Sequence, residues 1–109
     1  MMKNINNLFN QLNWEKTDNY PEGTAKKTLR DENGAKTILL RLPAGFNMEA
    51  HSHITAEQNL ILKGSFTYNG KKYHEGSYLF FNAHEDHGPF YSKEGALVLV
   101  IWDPYKESE

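Results

Sequence analysis

Apolar positions along this chain fall into short runs, and their spacing changes near residue 24. Before that point Ile5, Leu8, Phe9 and Leu12 recur at intervals of three and four, which predicts one face of a short helix packed on the outside of the molecule. Trp14 follows, an aromatic suited to anchoring this N-terminal arm. From Thr24 the runs shorten. Residues 24–30 and 35–42 flank Asp31-Glu32-Asn33-Gly34, which predicts a hairpin of two antiparallel strands. Pro43-Ala44-Gly45 stops the second strand, because proline offers no amide to the ladder. A further segment runs to His53. Residues 58–63 then read as a strand closed by Gly64, and residues 65–68 lead into Asn69-Gly70, the strongest hairpin signal in the chain, with residues 71–74 returning. Beyond Glu75-Gly76 comes a strand over residues 77–81. A polar, histidine-bearing loop separates it from residues 96–102, whose unbroken apolar character predicts burial on both faces.

About eight short strands with no helix between them describe an all-β fold, a β-sandwich or small barrel. At 109 residues the chain is too short for two independent cores. The expected organisation is an N-terminal helix and arm over residues 1–23 and one β unit over residues 24–109. Twelve Lys and Arg against fourteen Asp and Glu leave no basic excess for a nucleic-acid backbone or an anionic membrane surface, so a small-molecule partner is expected. Cysteine is absent, which excludes disulfides, thiolate metal sites and Cys nucleophiles and suits a reducing compartment. No secretory-type apolar run opens the chain and no eighteen apolar residues stand together, so a cytoplasmic protein is expected.

The five histidines all lie between positions 51 and 87. In an extended segment residues two apart project to one side, so His51 and His53 aim at a common point while Ser52 turns away. Glu57 follows after enough chain to bring a carboxylate back, and His87 arrives from a later hairpin. Three imidazoles and one carboxylate suit a divalent iron, manganese, nickel, copper or zinc ion. His74 reads as an ordinary strand residue. Gly45, His51, His53, Glu57 and Gly64 form a five-point pattern that a shuffled chain of this composition would show roughly once in ten thousand times.

This pattern resembles the first motif of the cupin superfamily, G-x5-H-x-H-x3,4-E-x6-G, at every fixed position. The second motif, G-x5-P-x-G-x2-H-x3-N, is met by Gly76 and His87, with Asn82, His84 and Tyr91 standing where proline, glycine and asparagine are usual. The segment is also similar to small cupins of zinc-binding anti-sigma factors and acetylacetone-cleaving dioxygenases. The resemblance implies a jelly-roll barrel of six to eight strands, often dimeric, with a metal held near its axis by His51, His53, Glu57 and His87. Asn59 and Ile61 share the side of Glu57 and are expected to line the pocket. Tyr78 and Phe80 share a face of their strand, and core packing is the expectation for both. His84 is expected at the surface or just behind the ligands, Glu85 and Asp86 on a solvated loop, and Glu49 outward.

Three neutral imidazoles and one carboxylate around a divalent ion leave one net positive charge, with coordination sites open to an oxygen ligand. Two functions follow. One is a metal-dependent enzyme, an oxygenase or isomerase acting on a small oxygenated organic molecule. The other is a non-catalytic module that binds metal or a small molecule, or senses it. No residue identifies itself as a general base. Edge strands and an apolar N-terminal segment left to cover favour a homodimer.

Overall fold

The computed structural model describes residue 2 and residues 4–104. Nine strands form among them: β1 (Glu15–Lys16), β2 (Ala25–Glu32), β3 (Ala35–Leu42), β4 (Phe46–Met48), β5 (Glu57–Tyr68), β6 (Lys71–His74), β7 (Tyr78–Phe81), β8 (Phe90–Ser92) and β9 (Ala96–Trp102). All pairings are antiparallel. A larger sheet runs β1-β2-β3-β9-β5-β7 and a smaller one β4-β8-β5-β6, with β5 common to both. The sheets curl around one core in a jelly roll, and the all-β expectation holds.

Turn chemistry sets the hairpins. Asn33 and Gly34 have φ of 51° and 81°, and Asn69 and Gly70 have φ of 49° and 81°. Positive φ at both central positions is what a two-residue hairpin turn of the strand-matching hand requires. Asp31 and Glu32, expected in the first turn, extend β2 instead. Gly64 does not close a strand. β5 runs through it for twelve residues, with a register shift between Ile61 and Lys63. This irregularity, with φ of +75° at Gly64, bends β5 out of the larger sheet and into the smaller one.

The core lies between the sheets. Cross-strand register arranges the inner face of the larger sheet in rows: Leu40, Val98 and Ile61; Ile38, Val100, Asn59 and Leu79; and, at the open end, Lys36, Trp102, Glu57 and Phe81. Phe46, Phe66 and Phe90 close the barrel from the smaller sheet. Along β9 only Ala96, Val98 and Val100 are buried, while Leu97, Leu99 and Ile101 are half-buried. Burial on both faces is therefore partial, because the outer face carries only the N-terminal arm. Tyr78 and Phe80 also face outward, 58% and 52% exposed, and core packing does not hold for them. Their neighbours Leu79 and Phe81 point inward.

The N-terminal segment packs on the outside as expected, but as an irregular arm with no helix among the described residues. Asparagine side chains explain the difference. Asn7 Oδ1 accepts from Phe9 N–H at 2.9 Å, and Asn10 Oδ1 accepts from Leu12 N–H at 2.8 Å, so short local bonds replace a helical ladder. Of the four apolar residues only Leu8 is half-buried. The arm is held by cations on the sheet. Lys27 Nζ donates to the carbonyls of Leu8 and Asn10, Arg41 donates to Gln11 at 3.1 Å, and both cations sit over the Trp14 ring. Trp14 is the anchor that its sequence position suggested.

Candidate metal centre

Two loops at the open end of the barrel meet at His51 and His87. Their backbones form an isolated antiparallel bridge: His51 N–H donates to the His87 carbonyl at 3.0 Å, and His87 N–H donates to the His51 carbonyl at 2.7 Å. Beside it, His84 N–H donates to the His53 carbonyl at 2.7 Å. His84 has φ of 65°, the left-handed backbone for which the usual glycine of the second motif is suited, and its side chain is exposed. Glu85, Asp86 and Glu49 are exposed as well. His74 lies on β6, away from the cluster.

The three imidazoles converge, with one nitrogen from each of His51, His53 and His87 lying within 4.8 Å of the others. Ring centroids are 4.5 Å apart for His51 and His87, 4.9 Å for His51 and His53, and 5.2 Å for His53 and His87. His51 Nδ1 donates to the Glu49 carbonyl at 3.2 Å, which leaves the lone pair on Nε2. His87 is 2% exposed and stacked against Phe81 at 4.5 Å. Burial, chiefly, lowers its pKa, and the neighbouring His51 and His53 add to this against the opposing pull of Glu57. The ring is therefore neutral near pH 7, the form that binds metal.

Glu57 opens β5 beside this group. Its Oε1 lies 3.2 Å from His53 Nε2, outside hydrogen-bond alignment, and 4.0 Å from His87 Nε2. Trp102 Nε1 donates to Oε1 at 2.7 Å, and Asn59 Nδ2 donates to Oε2 at 2.8 Å. Burial alone would raise the carboxyl pKa. The nearby His53 ring, the Asn59 donor and the electrostatic pull of His87 outweigh it and hold the group below its ordinary range. Asn59 faces inward as expected, and Ile61 is 1% exposed in the core below it.

His51, His53 and His87 are placed so that they could hold a metal ion, and Glu57 stands beside this group rather than in it. His53 Nε2 and both ring nitrogens of His87 are buried without a hydrogen-bond partner among the described residues. Buried polar atoms are seldom left so, and one such nitrogen each from His53 and His87, converging with His51, suits a cation that accepts their lone pairs. Residues and group fit. Above them a cavity of about 540 Å³ opens to solvent, its walls formed by Tyr20, Ile38, Met48, Ile54 and Trp102 beside His51 and His53. Tyr20 also borders a hollow of about 30 Å³ in the barrel interior with Glu57 and Asn59. Burial and the nearby Glu57 charge push its phenol pKa up, so it stays protonated.

The family described as the ChrR Cupin-like domain matches residues 3–106. The chain belongs to this cupin family. No curated protein matches the sequence. An RmlC-like cupin from Shewanella frigidimarina shares 20% identity over 89% of this chain and 87% of its own, with a TM-score of 0.74. An acetylacetone dioxygenase from Acinetobacter johnsonii shares 16% over 94% of this cupin and 75% of its own chain, with a TM-score of 0.75. A structure of Rhodobacter sphaeroides SigE in complex with the anti-sigma ChrR shares 21% over 87% of this cupin and 51% of that chain, with a TM-score of 0.72. At such identities the likeness is one of fold. No helix of the described residues is long and apolar enough to cross a membrane.

Trp102 and Tyr20 were not legible as site residues. Trp102 ends an apolar run that looks like plain core, and only the pairing of β9 with β5 brings its indole to Glu57. Tyr20 comes from a segment outside every motif.

Proposed function

We propose that His51, His53 and His87, joined by Glu57, hold a divalent ion of iron, manganese, nickel, copper or zinc, and that this cupin is a metal-dependent enzyme. Its class would be an oxygenase or isomerase acting on a small oxygenated organic molecule that enters through the mouth cavity. The observation that carries this is the orphaned Nε2 atoms of His53 and His87, converging with His51 beside an open cavity that His51 and His53 line. Bound there, the ion supplies a positive centre that polarises a substrate oxygen. The chain does the rest. Trp102 and Asn59 fix the Glu57 carboxylate, Phe81 and Phe90 shield His87 from water, and Tyr20 presents a protonated phenol toward Glu57. The fold-level likeness to an acetylacetone dioxygenase supports the choice of substrate size and chemistry.

A second function, a non-catalytic metal or small-molecule sensing module, is supported by the match to the ChrR cupin family. In either case we infer a cytoplasmic homodimer, in which Tyr78 and Phe80 on the outer face give two copies an apolar surface to cover. Elemental analysis of protein purified without chelators, followed by assays of oxygen uptake and of isomerisation with small diketones and oxo acids, separates the two. Iron, manganese or nickel with turnover supports the enzyme. Tightly held zinc with no turnover supports the sensing module, and absence of any stoichiometric metal overturns both.

A further inference from the structure

Two lysines face into the barrel mouth, on the same inner surface as Glu57 and the three histidines. Register fixes their direction. Lys36 on β3 lies opposite Trp102 on β9, whose indole reaches inward to Glu57, and Lys26 on β2 lies opposite Leu40, a core residue. Both line the cavity of about 540 Å³ that His51 and His53 share. Across the strands Asp31 lies opposite Lys36 and Glu15 opposite Lys26, yet among the described residues neither ammonium has a carboxylate within 4.0 Å, and Lys36 rests over the Trp102 ring at 5.8 Å. Asp103 is the single acid on the cavity wall. Protection of a sheet edge by inward-pointing charge does not account for Lys36, because β3 is paired on both sides, by β2 and β9. Nor does solubility, since the side chain is half-buried.

We propose that this cavity selects a small organic carboxylate, its charge met by Lys36 and Lys26 and a second oxygen directed toward the three histidines. The inference rests on the proposed metal site for the second oxygen but not for the charge. Ile38, Met48, Ile54 and Trp102 supply apolar walls for a short carbon skeleton between the two ends. A neutral ligand of the same shape leaves Lys36 and Lys26 only the cross-strand carboxylates of Asp31 and Glu15, neither of them within 4.0 Å. Specificity for the anion then comes from partly desolvated charge pairing rather than from added contact area.

The test compares acetoacetate with acetylacetone, which replaces the carboxylate by an acetyl group of similar size. Calorimetric titration is run on zinc-loaded and on metal-free protein, with zinc content measured before and after. Acetoacetate should bind at least about tenfold more tightly in both forms, and Lys36→Gln and Lys26→Gln should each remove about fivefold or more of that preference, the scale expected of charge-assisted hydrogen bonds. Neither variant should alter the affinity for acetylacetone. Lys36→Arg should retain the preference, which separates loss of charge from loss of packing on Trp102. Equal affinity for the two probes, or a preference untouched by both Gln variants, overturns the carboxylate assignment even if zinc binds stoichiometrically. A lysine-dependent preference in a protein that fails to retain zinc upholds it and rejects the metal site instead.

Discussion

His51 and His87 exchange both backbone hydrogen bonds across their bridge, at 3.0 and 2.7 Å, so the two loops that carry the imidazoles are fastened by main chain alone. The side chains are left with no structural duty in that bridge. A site preorganised this way loses little on metal release, and a ligand can be removed without untying the loops. His53 is braced similarly, through its carbonyl and the His84 amide.

From this it follows that His51→Ala and His87→Ala should fold and yet lose metal. Saturating metal at about 100 times its dissociation constant stabilises the native state by about 2.7 kcal/mol. For a domain of this size that is on the order of 10 °C in melting temperature. Both variants should lose most of that increment, and elemental analysis should find their metal reduced more than about tenfold, the loss typical even of outer-shell changes. His74→Ala should bind as the unaltered protein does. Full metal stoichiometry in both ligand variants would refute the site.

Trp102→Phe isolates the carboxylate's support. Phenylalanine keeps the aromatic bulk over Glu57 but removes the indole donor at 2.7 Å, leaving a buried oxygen short of a partner. Loss of a hydrogen bond to a buried charged group should cost about 1.5–3 kcal/mol in urea denaturation. If Glu57 joins the histidines on the ion, metal affinity should fall about tenfold as well, the usual consequence of disturbing a ligand's own partner. Asn59→Leu should act in the same direction through Oε2.

The convergence of the three histidines was legible because strand parity and motif spacing constrain it: His51 and His53 need only an extended backbone, and His87 follows from a motif with fixed spacing. The hairpins were legible because Asn33-Gly34 and Asn69-Gly70 can adopt positive φ cheaply. Other features depend on distant parts of the chain. Whether residues 96–102 are covered on one face or two is decided by what lies across β9, and the arm covers that face thinly. Gly64 punctuates a sequence as a strand end would, yet here it lets one strand serve two sheets. The apolar spacing of Ile5, Leu8, Phe9 and Leu12 suggested a helix, but Asn7 and Asn10 offer nearer hydrogen bonds, and competition of that kind is not expressed in apolar periodicity.

The arm makes its own prediction. Lys27 is 8% exposed, and its ammonium is answered by two arm carbonyls and the Trp14 ring. Trp14→Ala removes the ring from both Lys27 and Arg41 and leaves the buried ammonium to the two arm carbonyls. Stability should drop by about 1–3 kcal/mol, given cation–π contacts worth about 0.5–2 kcal/mol plus lost aromatic burial. Amide exchange should quicken over residues 5–14, while metal content stays unchanged because this segment packs on Lys27 and Arg41, outward of the larger sheet, and the histidines lie at its inner side.

The two glycines that frame the first motif should respond unequally to alanine. Gly45 has φ of +80° with nothing within 4 Å of the space a methyl group would take, so Gly45→Ala meets only the backbone penalty, about 1–2 kcal/mol for an L residue in the left-handed region. Gly64 has nearly the same φ of +75°, but a Cβ there would press into the Gly95 carbonyl oxygen and lie 3.0 Å from the Ala96 Cα. Both obstacles are backbone of the paired strand and cannot rotate aside. Gly64→Ala must therefore part β5 from β9 at the bend, and should cost several kcal/mol, beyond the usual range of about 0.5–3 kcal/mol for single substitutions. Chemical denaturation of the two variants reads the difference directly. Equal losses would mean that φ alone fixes glycine at position 64 and that the close approach of β9 relaxes freely. Because β5 begins at Glu57, a distorted bend should also reach the site, and Gly64→Ala should weaken metal binding where Gly45→Ala does so less.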